Sequence, residues 1–192
     1  MSSSSGSTFE DAVHAGRVGD MATDVVLLIT SRVGVGAAER AGRLGVESLV
    51  FDEKVLGSEA CDGQMAAALL GRQIDLIVLA GFLRKIGPQT LAAFQRRIIN
   101  THPAPLPRFG GRGMYGDNVH KAVLEAGVAR SAATVHWADA EYDTGPVIAS
   151  DEVPILPSDG IAELRSRVQA AEKQLLVRSV NALLPGIVQR RV

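Results

Sequence analysis

With 192 residues, 46% of them hydrophobic and 21% charged, the chain has the composition of an ordinary globular domain and not of a disordered one. Its 20 Lys and Arg against 21 Asp and Glu leave a formal charge of −1, which gives no footing for a nucleic-acid or membrane-surface binder. Cys61 is the one cysteine, no apolar run approaches a membrane span, and no charged-then-apolar leader opens the sequence. An intrachain disulfide and a cysteine-built zinc site are thereby excluded. A soluble, cytoplasmic, single domain over residues 1–192 is the expectation.

Residues 1–7 are Ser/Gly-rich and read as loop or tail. A helical pattern begins at Thr8, with Phe9, Ala12 and Val13 on one face, until Gly16 and Gly19 stop it. Residues 24–30 form a short, β-branched, nearly all-apolar run that suits a strand buried on both faces, as in a parallel sheet. The pattern then predicts helix over 37–44, strand over 47–51, helix over 59–70, strand over 74–80, a short helix over 89–94 and strand over 97–100. This alternation is the sign of an α/β fold: an open, mostly parallel, Rossmann-like sheet flanked by helices.

After Thr101 the texture changes. Residues 102–116 hold three prolines and four glycines, which predicts a long structured loop. Helix resumes over 117–126, and strands over 132–137 and 147–153, joined by a Gly/Pro turn, predict an antiparallel C-terminal portion. A long amphipathic C-terminal helix follows over 160–184, with Ile161, Leu164, Val168, Ala171 and Leu175 on one face. Ser158-Asp159 is placed to cap it, and Glu163 with Arg167 makes a favourable i,i+4 pair.

Chemistry concentrates in residues 98–107. A strand delivers Asn100 and His102 at its carboxyl end, two residues apart, and period-two geometry points both side chains the same way. Ligands of open α/β sheets bind beyond the carboxyl strand ends. An amide can donate to a developing oxyanion, and a histidine can donate to it or move a proton. Pro103, Pro105 and Pro107 stiffen the departing loop. Asp143 sits in a turn after the strand carrying His136, and a carboxylate reaching His102 would favour its imidazolium and orient the ring. Singly, each has an ordinary reading. An Asp in Asp-x-Gly-Pro is commonly a turn former, and an Asn or His at a strand end is commonly a local hydrogen-bonder. Gly34-x-Gly36 lacks the third glycine and the acidic partner of a dinucleotide site. His136 reads as a hydrogen-bonded buttress of the cleft, His14 as surface, and Cys61 as an inert thiol without a basic partner nearby in sequence.

Together, Asn100-x-His102-Pro103 with Pro107, followed by Asp143-x-Gly145-Pro146, resembles the folate-dependent formyltransferases, and the likeness runs from about residue 3 to the C-terminal helix. The resemblance implies that Asn100, His102 and Asp143 are catalytic. Phe82, Leu83, Arg84, Lys85 and Ile86, with Asp143, would lie along the folate. Thr134-Val135-His136 is similar to the strand before the catalytic aspartate, and Glu172, in Val168-Gln169-Ala170-Ala171-Glu172, would contact the acceptor. Ser5, Gly6, Ser7 and Thr8 match the Ser/Gly loop whose backbone N–H groups would hold a substrate phosphate at a helix N-terminus. Arg108 and Arg112 would reach phosphate or the folate glutamate tail, or stand exposed in their loop.

The implied co-substrate is 10-formyltetrahydrofolate, with no metal needed. The implied acceptor is the amine of glycinamide ribonucleotide, in de novo purine biosynthesis. Chain length, Glu172 and the near-neutral charge favour that acceptor over a tRNA, and neither a nucleic acid nor a membrane is an expected partner. A formyltetrahydrofolate hydrolase, transfer to another amine, and a catalytically idle folate-binding relative are the other readings. The sequence departs from the pattern at its start: the family places a central apolar strand before the Ser/Gly loop, and these residues begin inside the loop. Such a missing strand would leave a slot in the middle of the sheet. The loop 108–116 is longer and richer in glycine than in compact members. Asn118 stands where a histidine often appears, while His120 opens the next helix as expected.

Overall fold

The computed structural model describes residues 1–189. In chain order the elements are α1 (Ser7–Val18), β1 (Leu27–Thr30), α2 (Gly36–Leu44), β2 (Glu47–Val50), α3 (Glu53–Leu56), α4 (Ser58–Gly71), β3 (Ile77–Ala80), α5 (Pro88–Ala93), β4 (Ile98–His102), α6 (Asp117–Glu125), β5 (Arg130–Trp137), β6 (Val147–Pro154) and α7 (Ile161–Val188). β1 pairs with β2 in parallel, and β3 with β4 in parallel. β4, β5 and β6 then continue antiparallel. The α/β architecture with an antiparallel C-terminal portion and a long final helix is therefore as expected.

The near-continuous apolar strands have a simple cause. Neighbouring residues of one strand point to opposite faces, and here both faces are covered by helices. Leu28 packs with Phe9, Val13, Ala37 and Ala41 of α1 and α2, while Ile29 packs with Met65, Leu69 and Phe94 on the α4–α5 side. In β4, Ile98 joins the α4–α5 side and Ile99 joins Val135, Leu164, Val168 and Leu175 beneath α7.

The expected central slot is closed at its upper end by the chain's own first residues. The Met1 amino group donates to the Val78 carbonyl at 2.6 Å, and Ala80 N–H donates to Met1 O at 3.0 Å. Ser2 N–H donates to Ile29 O at 3.0 Å, and Ser3 N–H to Gly81 O at 2.9 Å. Residues 1–3 thus bridge β1 and β3, the two edge strands of what is otherwise a divided sheet.

Several boundaries differ from expectation. α1 runs through Gly16, where glycine is needed because a side chain would strike the Thr23 carbonyl, 2.7 Å from the Cβ position; the helix ends at Gly19, whose φ is +84°. β4 extends to His102 because its ladder with β5 continues to the pair His102 and Thr134. The short α3 was not evident from periodicity; Asp52 caps it by accepting Lys54 N–H. At α7 the cap is Gly160, whose N–H is taken by Glu163, and not Ser158-Asp159. Asp159 instead accepts Leu156 N–H and grips Arg167 through two bonds, at 2.6 and 2.9 Å, so Arg167 does not pair with Glu163.

The loop after β3 is pinned from α4. Buried Asp62 accepts Gln89 N–H at 2.7 Å, Thr90 N–H at 3.1 Å and the Thr90 hydroxyl at 2.6 Å, capping α5 from a neighbouring helix. Asp62→Ala strands these donors and is expected to cost about 2–4 kcal/mol of stability. Urea unfolding measures this directly; a loss below about 0.5 kcal/mol would mean that water replaces the carboxylate.

Candidate active site

Asn100 and His102 lie two residues apart on β4 and both line a cleft of about 520 Å³ at the carboxyl ends of β3 and β4. Asp143 reaches the same place from the loop between β5 and β6. Its carboxylate accepts Gly111 N–H at 2.9 Å and the Asn100 amide N–H at 3.2 Å, and stands 3.6 Å from His102 Nδ1 and 3.5 Å from His136 Nε2. Burial pushes the Asp143 carboxyl up, but the neighbouring His102 ring and the Gly111 N–H bond oppose it, and the group is held below the usual carboxylate range.

The backbone around Asp143 is built for this approach. Asp143 sits at φ +59°, a left-handed conformation that costs a non-glycine residue about 1 kcal/mol. A side chain at Gly110 would come within 2.5 Å of Leu106 and 2.9 Å of Asp143. The glycine-rich loop is thus what lets Gly111 N–H reach the carboxylate.

His102 has a defined proton. Its Nε2 donates to the Phe109 carbonyl at 2.8 Å, so Nδ1 is the nitrogen that faces Asp143. Burial lowers the His102 pKa against the opposing effect of Asp143, which keeps the ring neutral at pH 7 with Nδ1 free to take a proton. The arrangement can hold one proton between a histidine and a carboxylate, beside an amide donor.

On the other face of β4, Thr101 donates to Glu172 of α7 at 2.8 Å, and Thr8 of α1 donates to the same oxygen at 3.2 Å. Burial raises the Glu172 pKa, only partly opposed by these two hydroxyls. Ser5, Ser7 and Thr8 line this end of the cleft. Gly6 lies behind them at φ +78°, where a Cβ would sit 2.6 Å from Ala37. Phe82, Leu83, Arg84, Lys85 and Ile86 line the opposite end. There Lys85 pairs with Glu141 at 2.6 Å, and the Tyr142 hydroxyl donates to Leu83 O at 3.4 Å, joining the two loops that wall the cleft.

Other residues fall differently from expectation. Cys61 is buried but has a basic partner after all, the Arg84 guanidinium at 3.7 and 3.8 Å. Arg112 borders the cleft, whereas Arg108 stacks over Phe109. His14 is exposed. Gln169 and Arg165 also line the cleft; Gln169 lies one helical turn before Glu172, a spacing that could have found it. Among the described residues, no group of three or more His, Cys, Asp or Glu is placed to hold a metal ion, and no helix is long and apolar enough to cross a membrane.

The fold and cleft define an open α/β domain that carries a histidine–carboxylate pair and an amide donor beyond its strand ends. Residues 1–180 match the family described as formyl transferase, and the chain belongs to that family. It is 40% identical over 185 residues to the chloroplastic phosphoribosylglycinamide formyltransferase of Arabidopsis thaliana, covering 94% of this chain and 63% of that one. It is 38% identical over 184 residues to the corresponding protein of Vigna unguiculata, covering 94% and 58%. The chain thus spans about three fifths of the length of these plant relatives. Glycinamide ribonucleotide transformylase 1 from Geobacillus kaustophilus shares the fold with a TM-score of 0.87 at 39% identity, covering 95% of each chain.

Proposed function

We propose that this chain, as one formyltransferase domain over residues 1–192, transfers the formyl group of 10-formyltetrahydrofolate to the amine of glycinamide ribonucleotide. The observation that carries the reading is the convergence of Asn100, His102 and Asp143 on one point of a cleft with two distinct ends. The names of the similar plant and bacterial proteins support the same acceptor.

The folate lies along Phe82, Leu83, Arg84, Lys85 and Ile86, and the acceptor phosphate sits at the N-terminus of α1. There the first-turn N–H groups have no intrahelical partner, and Ser5, Gly6, Ser7 and Thr8 shape the loop. Glu172, held by Thr8 and Thr101, fixes the acceptor at this same end of the cleft. The acceptor amine attacks the formyl carbon, and the carbonyl electron pair moves onto oxygen. Asn100 donates to that oxyanion. The amine proton passes to the His102–Asp143 pair, by way of Nδ1, and the resulting imidazolium stands beside both the oxyanion and the carboxylate. Collapse re-forms the carbonyl, breaks the bond to folate N10 and returns the proton to that nitrogen. Atoms and charge balance without a metal.

The test is conversion of 10-formyltetrahydrofolate by the purified chain with and without glycinamide ribonucleotide, with His102→Ala as control. Acceptor-dependent turnover that the control loses is the expected result. Consumption without the acceptor would instead make the chain a hydrolase, and folate binding without turnover would make it an idle relative.

A further inference from the structure

We propose that His136 is a positioning residue that fixes which way round the Asn100 amide sits, and so keeps Asn100 a hydrogen-bond donor to the reacting oxygen. The proposal rests on the formyl-transfer reading but can be tested apart from it.

The β4–β5 register places Asn100 directly opposite His136, and the irregularity between Val135 and His136 lies next to this pair. Side chains of such a cross-strand pair share a face and touch. His136 Nδ1 lies 2.8 Å from the Trp137 carbonyl, which can only accept, so Nδ1 carries the hydrogen. That carbonyl is itself held. Trp137 N–H donates to Pro146 O at 3.0 Å, and Gly145 packs so closely that a Cβ would sit 1.9 Å from Trp137 O. In the neutral ring Nε2 is therefore an acceptor. It stands 3.0 Å from Asn100 Nδ2 and 3.5 Å from Asp143 Oδ1.

Nε2 cannot accept from Asn100 and donate to Asp143 at once, and the shorter separation assigns it to Asn100. Turning the amide over would set its oxygen against the Nε2 lone pair at one side and the Asp143 carboxylate, 3.2 Å away, at the other. Two acceptor–acceptor contacts in a site this buried exclude that orientation. His136 is only 2% exposed, so water does not relieve it. One amide hydrogen is thereby anchored on His136. The second, on the Asp143 side at 3.2 Å, is shared with the oxyanion as it forms, with no turn of the amide needed.

His136→Ala should lower kcat about 10–100-fold with both KM values within about 3-fold, since one orienting bond to a transition-state donor is lost. His136→Gln, which restores an acceptor, should recover kcat to within about 5-fold of wild type. In an Asn100→Ala background, His136→Ala should add less than about 2-fold, because the interaction it serves is already gone. Additive losses in that double variant, or no rescue by Gln, would overturn the proposal. Imidazole ¹⁵N NMR of the unmodified chain at neutral pH supplies a readout that needs no turnover. The expected spectrum has His136 protonated at Nδ1 and bare at Nε2; a proton on Nε2 overturns the positioning role even if formyl transfer stands. The Nδ1–H form in a chain that transfers no formyl group would sink the functional reading alone.

Discussion

Asp143→Asn should lower kcat for formyl transfer about 10²–10⁴-fold, the usual contribution of a positioned proton carrier, and leave the fold intact. Both halves of that expectation follow from where the residue sits. Asparagine tolerates the left-handed backbone at φ +59° at least as well as aspartate, and its oxygen can still accept Gly111 N–H. What disappears is the charge 3.6 Å from His102 Nδ1. Without it only the Phe109 hydrogen bond offsets the burial that lowers the His102 pKa, so the imidazolium that must form in the transition state loses its counter-charge. The KM values should move little, since the acceptor phosphate and the folate are held at the two ends of the cleft. A variant with kcat within about 5-fold of wild type would remove Asp143 from the proton path and leave it as a turn residue. Unfolding by urea, run beside the kinetics, separates lost chemistry from lost structure.

Much of this site was legible before any fold was known, and the reason is local. Period-two geometry alone sets Asn100 and His102 on one side of a strand, and residues 24–30 read as a strand buried on both faces; the structure keeps 27–30 as that strand, covered by helices on both sides, and leaves Val26 exposed. What was hidden depends on register and on distant partners. The closeness of His136 to Asn100 follows from how β5 pairs with β4, which no short stretch of sequence encodes. Arg84 meets Cys61 only because α4 packs beside the loop after β3. Arg167 pairs with Asp159 through two bonds and not with Glu163, whose carboxylate accepts Gly160 N–H. A helical i,i+4 pair is worth a few tenths of a kcal/mol, and a two-bond guanidinium–carboxylate contact displaces it easily. The glycines tell a similar story. Gly145 and Gly110 read as turn residues, yet each is required by a neighbour's approach, the Trp137 carbonyl in one case and Asp143 in the other.

The first residue makes the other large expected effect, a stability that falls as the solution is acidified from pH 8. In a polypeptide of these 192 residues the Met1 amino group is buried between β1 and β3, and burial lowers its pKa from 8.0 to about 5. Between those two values the unfolded chain holds a proton that the folded chain does not. Stability is therefore fully present above pH 8, declines as pH drops through the window and levels off below about 5. Three pKa units correspond to about 4 kcal/mol across the window, a large share of what holds a domain of this size together. Buried His102 and His120, whose pKa values are also lowered, act in the same direction, but only from about a unit above their ordinary value of 6.5 downward. The difference between free and acetylated chains over about pH 9 to 7.5 isolates the amine. Acetylating the N-terminus removes the titration while preserving an N–H for Val78 O, so urea midpoints of the acetylated chain should be flat over that span and those of the free amine should fall. Equal slopes for the two chains would show that the amine escapes to solvent and that residues 1–3 do not hold the two sheet edges together.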